Sequence, residues 1–406
     1  MLQIKNVFVM SSLKDYLIAA LVPAMMLVAC EKVDNNPEEH VDDDCYVQLS
    51  EVAQVFASIP IQPCHLTEVH DAVCASSSNG YDEEYTMSLL FESPGAGVGD
   101  NIETRSATNY DHPLRELICE HLVSTKSTVG IPDTDRWLNE LKQSDIQVYW
   151  PYSERWDGKS LPIITFDPED DSDVNVGYRI IVDQNGNRNV EEIFVDEEMA
   201  KSSPVWVINR NSDAGYKTLE LLRKEHPEWN EGGNLVIQPS SVPATKSTSK
   251  ALILKNFKMR YNYDCWFAGG SEFFIKIGSV KDFTATTEAE LKLYNPKVTD
   301  MMLVVTRSEE GVTIPLNTML LSDWTDQMTH CAFMMIEDDG GTWTEWSCTA
   351  LVRIASKSYG IEIKLPIKSW DDIVWRGRLA WNWLEAYSGK TSRFGGVDLT
   401  FEVQDY

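Results

Sequence analysis

Period-two alternation of apolar and polar residues governs the last third of this chain and leaves it few ways to fold. Phe273, Ile275 and Ile277 alternate with Glu272, Phe274 and Lys276, and Ile361, Ile363 and Leu365 alternate with Glu362 and Lys364. Val397, Leu399, Phe401 and Val403 alternate with Asp398, Thr400 and Glu402. Successive side chains of a strand point to opposite faces, so each apolar set is gathered on one side. The runs 301–305 and 332–336 are continuously apolar, as central strands are. Strands separated by Gly and Asp loops, with few helical stretches, predict an antiparallel β-sandwich over residues 251–406.

Upstream the period changes. Leu49, Val52, Ala53, Val55 and Phe56 recur at helical spacing, as do Leu114, Leu117, Ile118 and Leu122. Asp111 is a candidate cap with Pro113 in the first turn, and Asp133 opens a further short helix. Residues 45–145 therefore read as mainly helical, interrupted by the glycine-rich loop 93–100. Residues 146–240 read as a small β-rich domain. Its strands lie near 146–150, 161–166 and 205–209, with a hairpin whose arms flank Asn185-Gly186, a turn pair that accepts positive φ. A Pro/Ser/Thr/Lys stretch predicts a linker over 241–250. The expected fold class is α+β and multidomain.

The N-terminus supplies an address. After Lys5 and Lys14 comes the apolar run 17–28, which ends in Leu27-Val28-Ala29-Cys30, a lipobox. Twelve apolar residues fall short of the roughly 20 that cross a bilayer. They suit the h-region of a signal peptide over 1–29, and Pro23 argues against a permanent span. Acylated Cys30 is then the first mature residue and its lipid the membrane anchor. The acidic stretch 30–44 has too few large apolar groups to fold and reads as a flexible tether. Here the chain resembles surface lipoproteins of the Bacteroidetes, in which acidic residues after the lipidated cysteine accompany display outside the cell. That resemblance implies outer-membrane anchoring, at the cell surface or on the periplasmic face. A net charge of −28 repels nucleic acid and anionic bilayers, so neither is an expected partner. Of eight cysteines, Cys30 is committed to lipid, and the odd remainder is not a full disulfide framework.

Chemistry is sparser. Asp264 precedes a loop, Glu337-Asp338-Asp339-Gly340-Gly341 follows an expected strand, and Asp372 precedes another. Calcium takes six to eight oxygens from convergent loops, which makes Asp264, Asp338, Asp339 and Asp372 candidate ligands and calcium the one cofactor the pattern admits. The arrangement resembles the calcium-and-lipid-binding sandwich found in protein kinase C, with adjacent Asp338-Asp339 in place of an Asp-x-Asp pair. Solvated turns account for the same residues. The run Asp167 to Asp173 has carboxylates at alternate positions but carries Ser172 and Tyr178 where an EF-hand has Gly and Glu, so it reads as a charged loop. In the segment 64–74, His70 and Cys74 share a helical face while His65 points elsewhere, which fits a helix with one buried thiol or a local disulfide better than zinc.

Eight of the thirteen tryptophans follow residue 250. Trp375, Trp381 and Trp383 read as one strand face, either a core strand or a platform for a glycan or other ligand. The nucleophile elbow, the zinc-protease helix motif and the phosphate-cradling loop are absent. Segments 149–158, 162–166 and 204–209 resemble stretches that recur in uncharacterised Bacteroidetes lipoproteins, a likeness that implies shared architecture and no activity. The expected function is a lipid-anchored, non-enzymatic surface module for binding or adhesion, with a glycan or a protein as its ligand. The alternative is an extracytoplasmic hydrolase, a glycosidase or peptidase, with dispersed catalytic carboxylates.

Overall fold

A computed structural model describes residues 47–92, 110–124, 131, 133–170, 172–211, 217–225 and 250–405. The signal peptide, Cys30, the acidic tether, the loop 93–100 and residues 241–249 of the linker lie outside them. The described residues fall within one compact unit. Their fold is α+β, dominated by sheet.

Helices α1 (Leu49–Ser58), α2 (Pro63–Ser78), α3 (Met87–Phe91), α4 (Leu114–Ser124) and α5 (Thr134–Gln143) occupy the expected helical region. Asp133 caps α5 by accepting the Arg136 N–H at 3.0 Å. At α4 the first N–H, that of Leu114, donates instead to Glu68 of α2 at 2.6 Å. Within this region a three-residue strand, β1 (Glu84–Thr86), joins a six-stranded sheet. The others are β2 (Ile146–Tyr149), β3 (Ile163–Phe166), β4 (Val174–Val182), β5 (Arg188–Asp196) and β6 (Val205–Arg210), in the order β1-β2-β6-β3-β4-β5. All pairs are antiparallel except β3 with β6. The β4–β5 hairpin turns where Asn185-Gly186 predicts. Only Gly186 takes positive φ there, and Asp183 gathers the N–H groups of Asn185 and Asn187, each at 2.8 Å.

Strict alternation in β2, β3 and β6 buries this sheet on both sides. Ile146, Val148, Ile164, Trp206 and Ile208 face the helices, packed with Val52, Phe56, Val69 and Val73. Tyr149, Ile163, Val205 and Val207 face the other way, onto Trp266 and Phe267. Those two rings come from the loop between β7 (Lys250–Met259) and β8 (Ser271–Val280), in the sandwich. The short helices α6 (Glu197–Ala200) and α7 (Leu219–Glu225) complete the part before residue 250.

The sandwich continues with β9 (Pro296–Val305), β10 (Ile314–Trp324), β11 (Met328–Glu337), β12 (Trp343–Ile354), β13 (Lys357–Lys368) and β14 (Asp372–Ala380). Helix α8 (Trp381–Ala386), β15 (Thr391–Phe394) and β16 (Val397–Asp405) finish it. One sheet runs β10-β7-β16-β15; the other runs β13-β12-β11-β8-β9, with β14 also on β11. Leu252, Phe257, Phe273, Ile275, Phe333 and Phe401 fill the space between them. The long β12–β13 ribbon folds across the outside of β8 and β11, where Ile363 and Leu365 meet Phe274 and Met334. Gly278 is required at that crossing, because a Cβ there would stand 2.4 Å from Ile363 Cγ2. Gly278→Ala is expected to cost about 1–3 kcal/mol by overpacking, read from the urea midpoint.

The reading of Trp375, Trp381 and Trp383 as one strand face is corrected. Strand β14 ends at Ala380, and Trp381 and Trp383 lie on α8, where Trp381 and buried Leu384 stand at helical spacing. All three rings pack against the core: Trp375 on Phe394 at 5.1 Å, Trp381 on Trp324 at 4.5 Å and Trp383 on Tyr387 at 5.2 Å. Among the described residues the most exposed indoles are Trp343 and Trp370, at 60% and 71%. Among the described residues, Cys64, Cys74, Cys119, Cys265, Cys331 and Cys348 are free thiols, and no helix is long and apolar enough to cross a membrane.

Candidate metal centre

Two strands and a loop of the sandwich bring carboxylates together at one end of β8. Asp264 lies in the β7–β8 loop, Glu272 is the second residue of β8, and Glu337 is the last of β11. Antiparallel pairing sets Glu337 opposite Phe273, beside Glu272. One oxygen from each of Asp264, Glu272 and Glu337 lies within 4.8 Å of the others.

Glu337 is fully buried. Its Oε1 receives only a long 3.4 Å hydrogen bond from the Glu272 N–H, and its Oε2 has no donor. Asp264 Oδ2, likewise buried, has none either. Buried oxygens without a donor are expensive, and two facing each other repel, so a positive charge is required between them. A proton or a metal ion supplies it. Burial raises the pKa of both groups. Asp264 pushes Glu337 up further, while the contact with Glu337 and the Arg307 charge draw Asp264 back. In the metal-free pair the two carboxyls therefore hold a proton between them. On the exposed rim, Asp339 is pushed up to about 7 by desolvation and then by the charges of Asp264 and Asp372.

Three carboxylates within reach of a common point are the hard oxygen donors that a divalent cation such as calcium takes.

The sequence-predicted ligands divide. Asp264 joins the centre. Asp339 stands at its rim, where its Oδ2 accepts the Asp372 N–H at 3.2 Å. Asp338 points away and is taken by Lys368, whose Nζ lies 2.8 and 2.6 Å from its two oxygens. That divergence follows from the opposite directions of neighbouring residues on an extended chain. Sequence reasoning missed Glu272 and Glu337. Glu272 looks like an ordinary solvent-side residue in an alternating strand, and only the β8–β11 register places it beside Glu337.

Elsewhere, His70 lies 3.7 Å from Cys74 Sγ on α2, and His65 Nδ1 accepts the Gln62 N–H, so the segment gathers no third ligand. In the 167–173 loop, Asp167 and Asp170 accept the N–H groups of Glu169 and Ser172, as solvated turns do.

The centre is tied to the neighbouring six-stranded sheet. Arg307 Nη1 donates to the carbonyls of Asp264 and Gly269 at 3.2 and 3.1 Å, and its Nε bonds Glu197 at 2.8 Å. Asp82 accepts the Gly270 N–H at 2.7 Å, and Asn209 Nδ2 donates to the carbonyls of Phe267 and Ala268. The segment 264–270 is thus held from both sides. Compared with known proteins, the chain matches no family model, no curated protein and no solved structure.

Proposed function

We propose that this chain is a lipid-anchored cell-envelope protein whose folded part is a non-enzymatic binding module organised around a divalent-cation centre, with calcium as the cation. The facing, donor-less oxygens of Asp264 and Glu337 carry this reading. Glu337 is sealed, and none of the three clefts described along the surface is lined by Asp264, Glu272 or Glu337. A glycosidase or peptidase needs its carboxylates open to a polymer, whereas here Glu272 and Glu337 are buried and Asp264 alone is half-buried, an enclosure suited to an ion. The lipid anchor rests on the run 17–28 and Cys30.

Isothermal titration of the metal-free chain tests the centre. The expected result is one calcium per chain, with proton release seen as a heat that changes with buffer ionisation enthalpy, and loss of both in Glu337→Gln. A folded chain that takes up no calcium at millimolar concentration overturns the reading. For the anchor, Cys30→Ser is expected to move the protein from the membrane fraction to the soluble one. Continued attachment of that variant would sink the assignment.

A further inference from the structure

A separate cleft of about 420 Å³ opens where the C-terminal end of α2 and α7 approach β9 and β10. That volume lies in the range of small-molecule sites. Its floor is apolar: Leu219, Met302, Val304 and Leu316 are buried there, with Leu303 and Ile314 half-buried. The ionisable lining is all acidic. Among the described residues, Glu83, Glu154, Glu220 and Glu309 contribute to the wall, and no Lys, Arg or His does.

The four carboxylates are not equivalent. Glu83 is buried and satisfied by the N–H groups of Tyr152 and Ser153 and the Ser153 hydroxyl. Burial, then the Asp82 charge, pushes it up to about 8, so it is largely neutral at pH 7. Glu220 is paired with Arg223, whose other nitrogen donates to the Leu316 carbonyl, so its charge is already matched. Glu309 accepts the N–H and the hydroxyl of Thr306, both at 3.1 Å. Glu154 has an exposed pairing with Arg155 at 3.3 Å, a kind worth little. The cleft therefore couples an oily floor to a negative rim. A hydrated metal ion has no use for the floor, and an apolar anion is repelled by the rim.

We propose that this cleft binds a small organic cation, an amine or guanidine carrying an aliphatic or aromatic body. The body lies on Leu303, Met302 and Leu316, and the cationic head faces Glu309 and Glu154. No lining residue belongs to the Asp264–Glu272–Glu337 centre, so either assignment stands or falls without the other.

The test is a titration of the full mature chain with 4-phenylbutylamine, 4-phenylbutanol and 4-phenylbutyrate, in EDTA and moderate salt, where diffuse attraction is screened. The amine is expected to saturate at one per chain and to bind at least about ten-fold more tightly than the alcohol, with no detectable butyrate binding. Glu309→Gln and Glu154→Gln are each expected to weaken the amine about three- to five-fold. Leu303→Arg, which brings its own cation to the floor, should abolish amine binding. Equal affinity for amine and alcohol overturns the proposal, as does amine binding unchanged in both glutamine variants. Should Leu303→Arg fail to fold, the two glutamine variants still decide the matter.

Discussion

Metal-free protein is expected to lose stability as pH rises from about 5 to 8, and millimolar calcium to restore it most strongly at the alkaline end. The groups concerned are carboxyls raised in the folded state: Asp264 and Glu337 at the centre, Asp339 at its rim and Glu83 beside Asp82. An acid whose folded pKa lies above its unfolded value binds its proton more tightly when folded. Its contribution is complete below the unfolded carboxylate pKa, near 4, and is lost as pH climbs through the folded value. With Asp339 at about 7 and Glu83 at about 8, the loss spans the neutral range. The exposure of Asp339 screens its share, so most of the weight rests on buried Glu337 and Glu83 and on half-buried Asp264, whose Oδ2 is enclosed. Calcium takes the place of the proton and is favoured as protons leave. At a hundred times its Kd it adds about 2.7 kcal/mol. Melting curves at pH 5, 6.5 and 8, with calcium or EDTA, read this directly. Glu337→Gln replaces the carboxyl by a neutral amide of like shape, which should flatten the pH slope and erase the calcium response together. A pH slope without any calcium response would mean that the oxygens share only a proton.

The sandwich was legible because the two faces of a strand meet different surroundings and leave a period-two imprint; the residues marked by it in β8, β13 and β16 are strand residues in the structure, although the β12–β13 ribbon buries the second face of β8 as well. The helices at 49–58 and 134–143 were legible for the same kind of reason at the other period. What failed to show was anything set by register. Glu272 and Glu337 are 65 residues apart and meet only because β8 and β11 pair in one alignment out of several that their apolar patterns would tolerate. Strand β1 has three residues, too few for a period, yet it draws the helical region onto the sheet. Trp266 and Phe267 looked like part of an ordinary strand-to-strand loop. Nothing local announces that a loop's aromatic pair will close the far face of another sheet, since the matching apolar set on β2, β3 and β6 lies 59 to 118 residues earlier. Trp381 and Trp383 were misplaced because a six-residue helix after a strand looks, over so short a span, like more of the strand.

Trp266→Ala should be the most damaging single truncation in the loop that joins the sandwich to the six-stranded sheet. Trp266 is 1% exposed, lies 3.9 Å from the Phe267 ring between centroids, and packs in the cluster formed by Tyr149, Val205 and Val207. Its Nε1 also donates to the Asp173 carbonyl at 2.9 Å. Emptying so well enclosed a site costs about 3–5 kcal/mol. That is a large fraction of the roughly 5–15 kcal/mol that holds a typical protein folded. The loss falls on the junction, so the six-stranded sheet and the sandwich should cease to unfold together, and a urea titration should show two transitions where the parent shows one. Calcium affinity should fall as well, because Asp264 stands two residues from the wedge and its carbonyl depends on Arg307 for position. Trp343→Ala, at an indole 60% exposed, is the control and should change stability by no more than about 0.5 kcal/mol. A single transition in Trp266→Ala, shifted by less than about 1 kcal/mol, would show that Asn209, Asp82 and Arg307 hold the segment 264–270 without its ring.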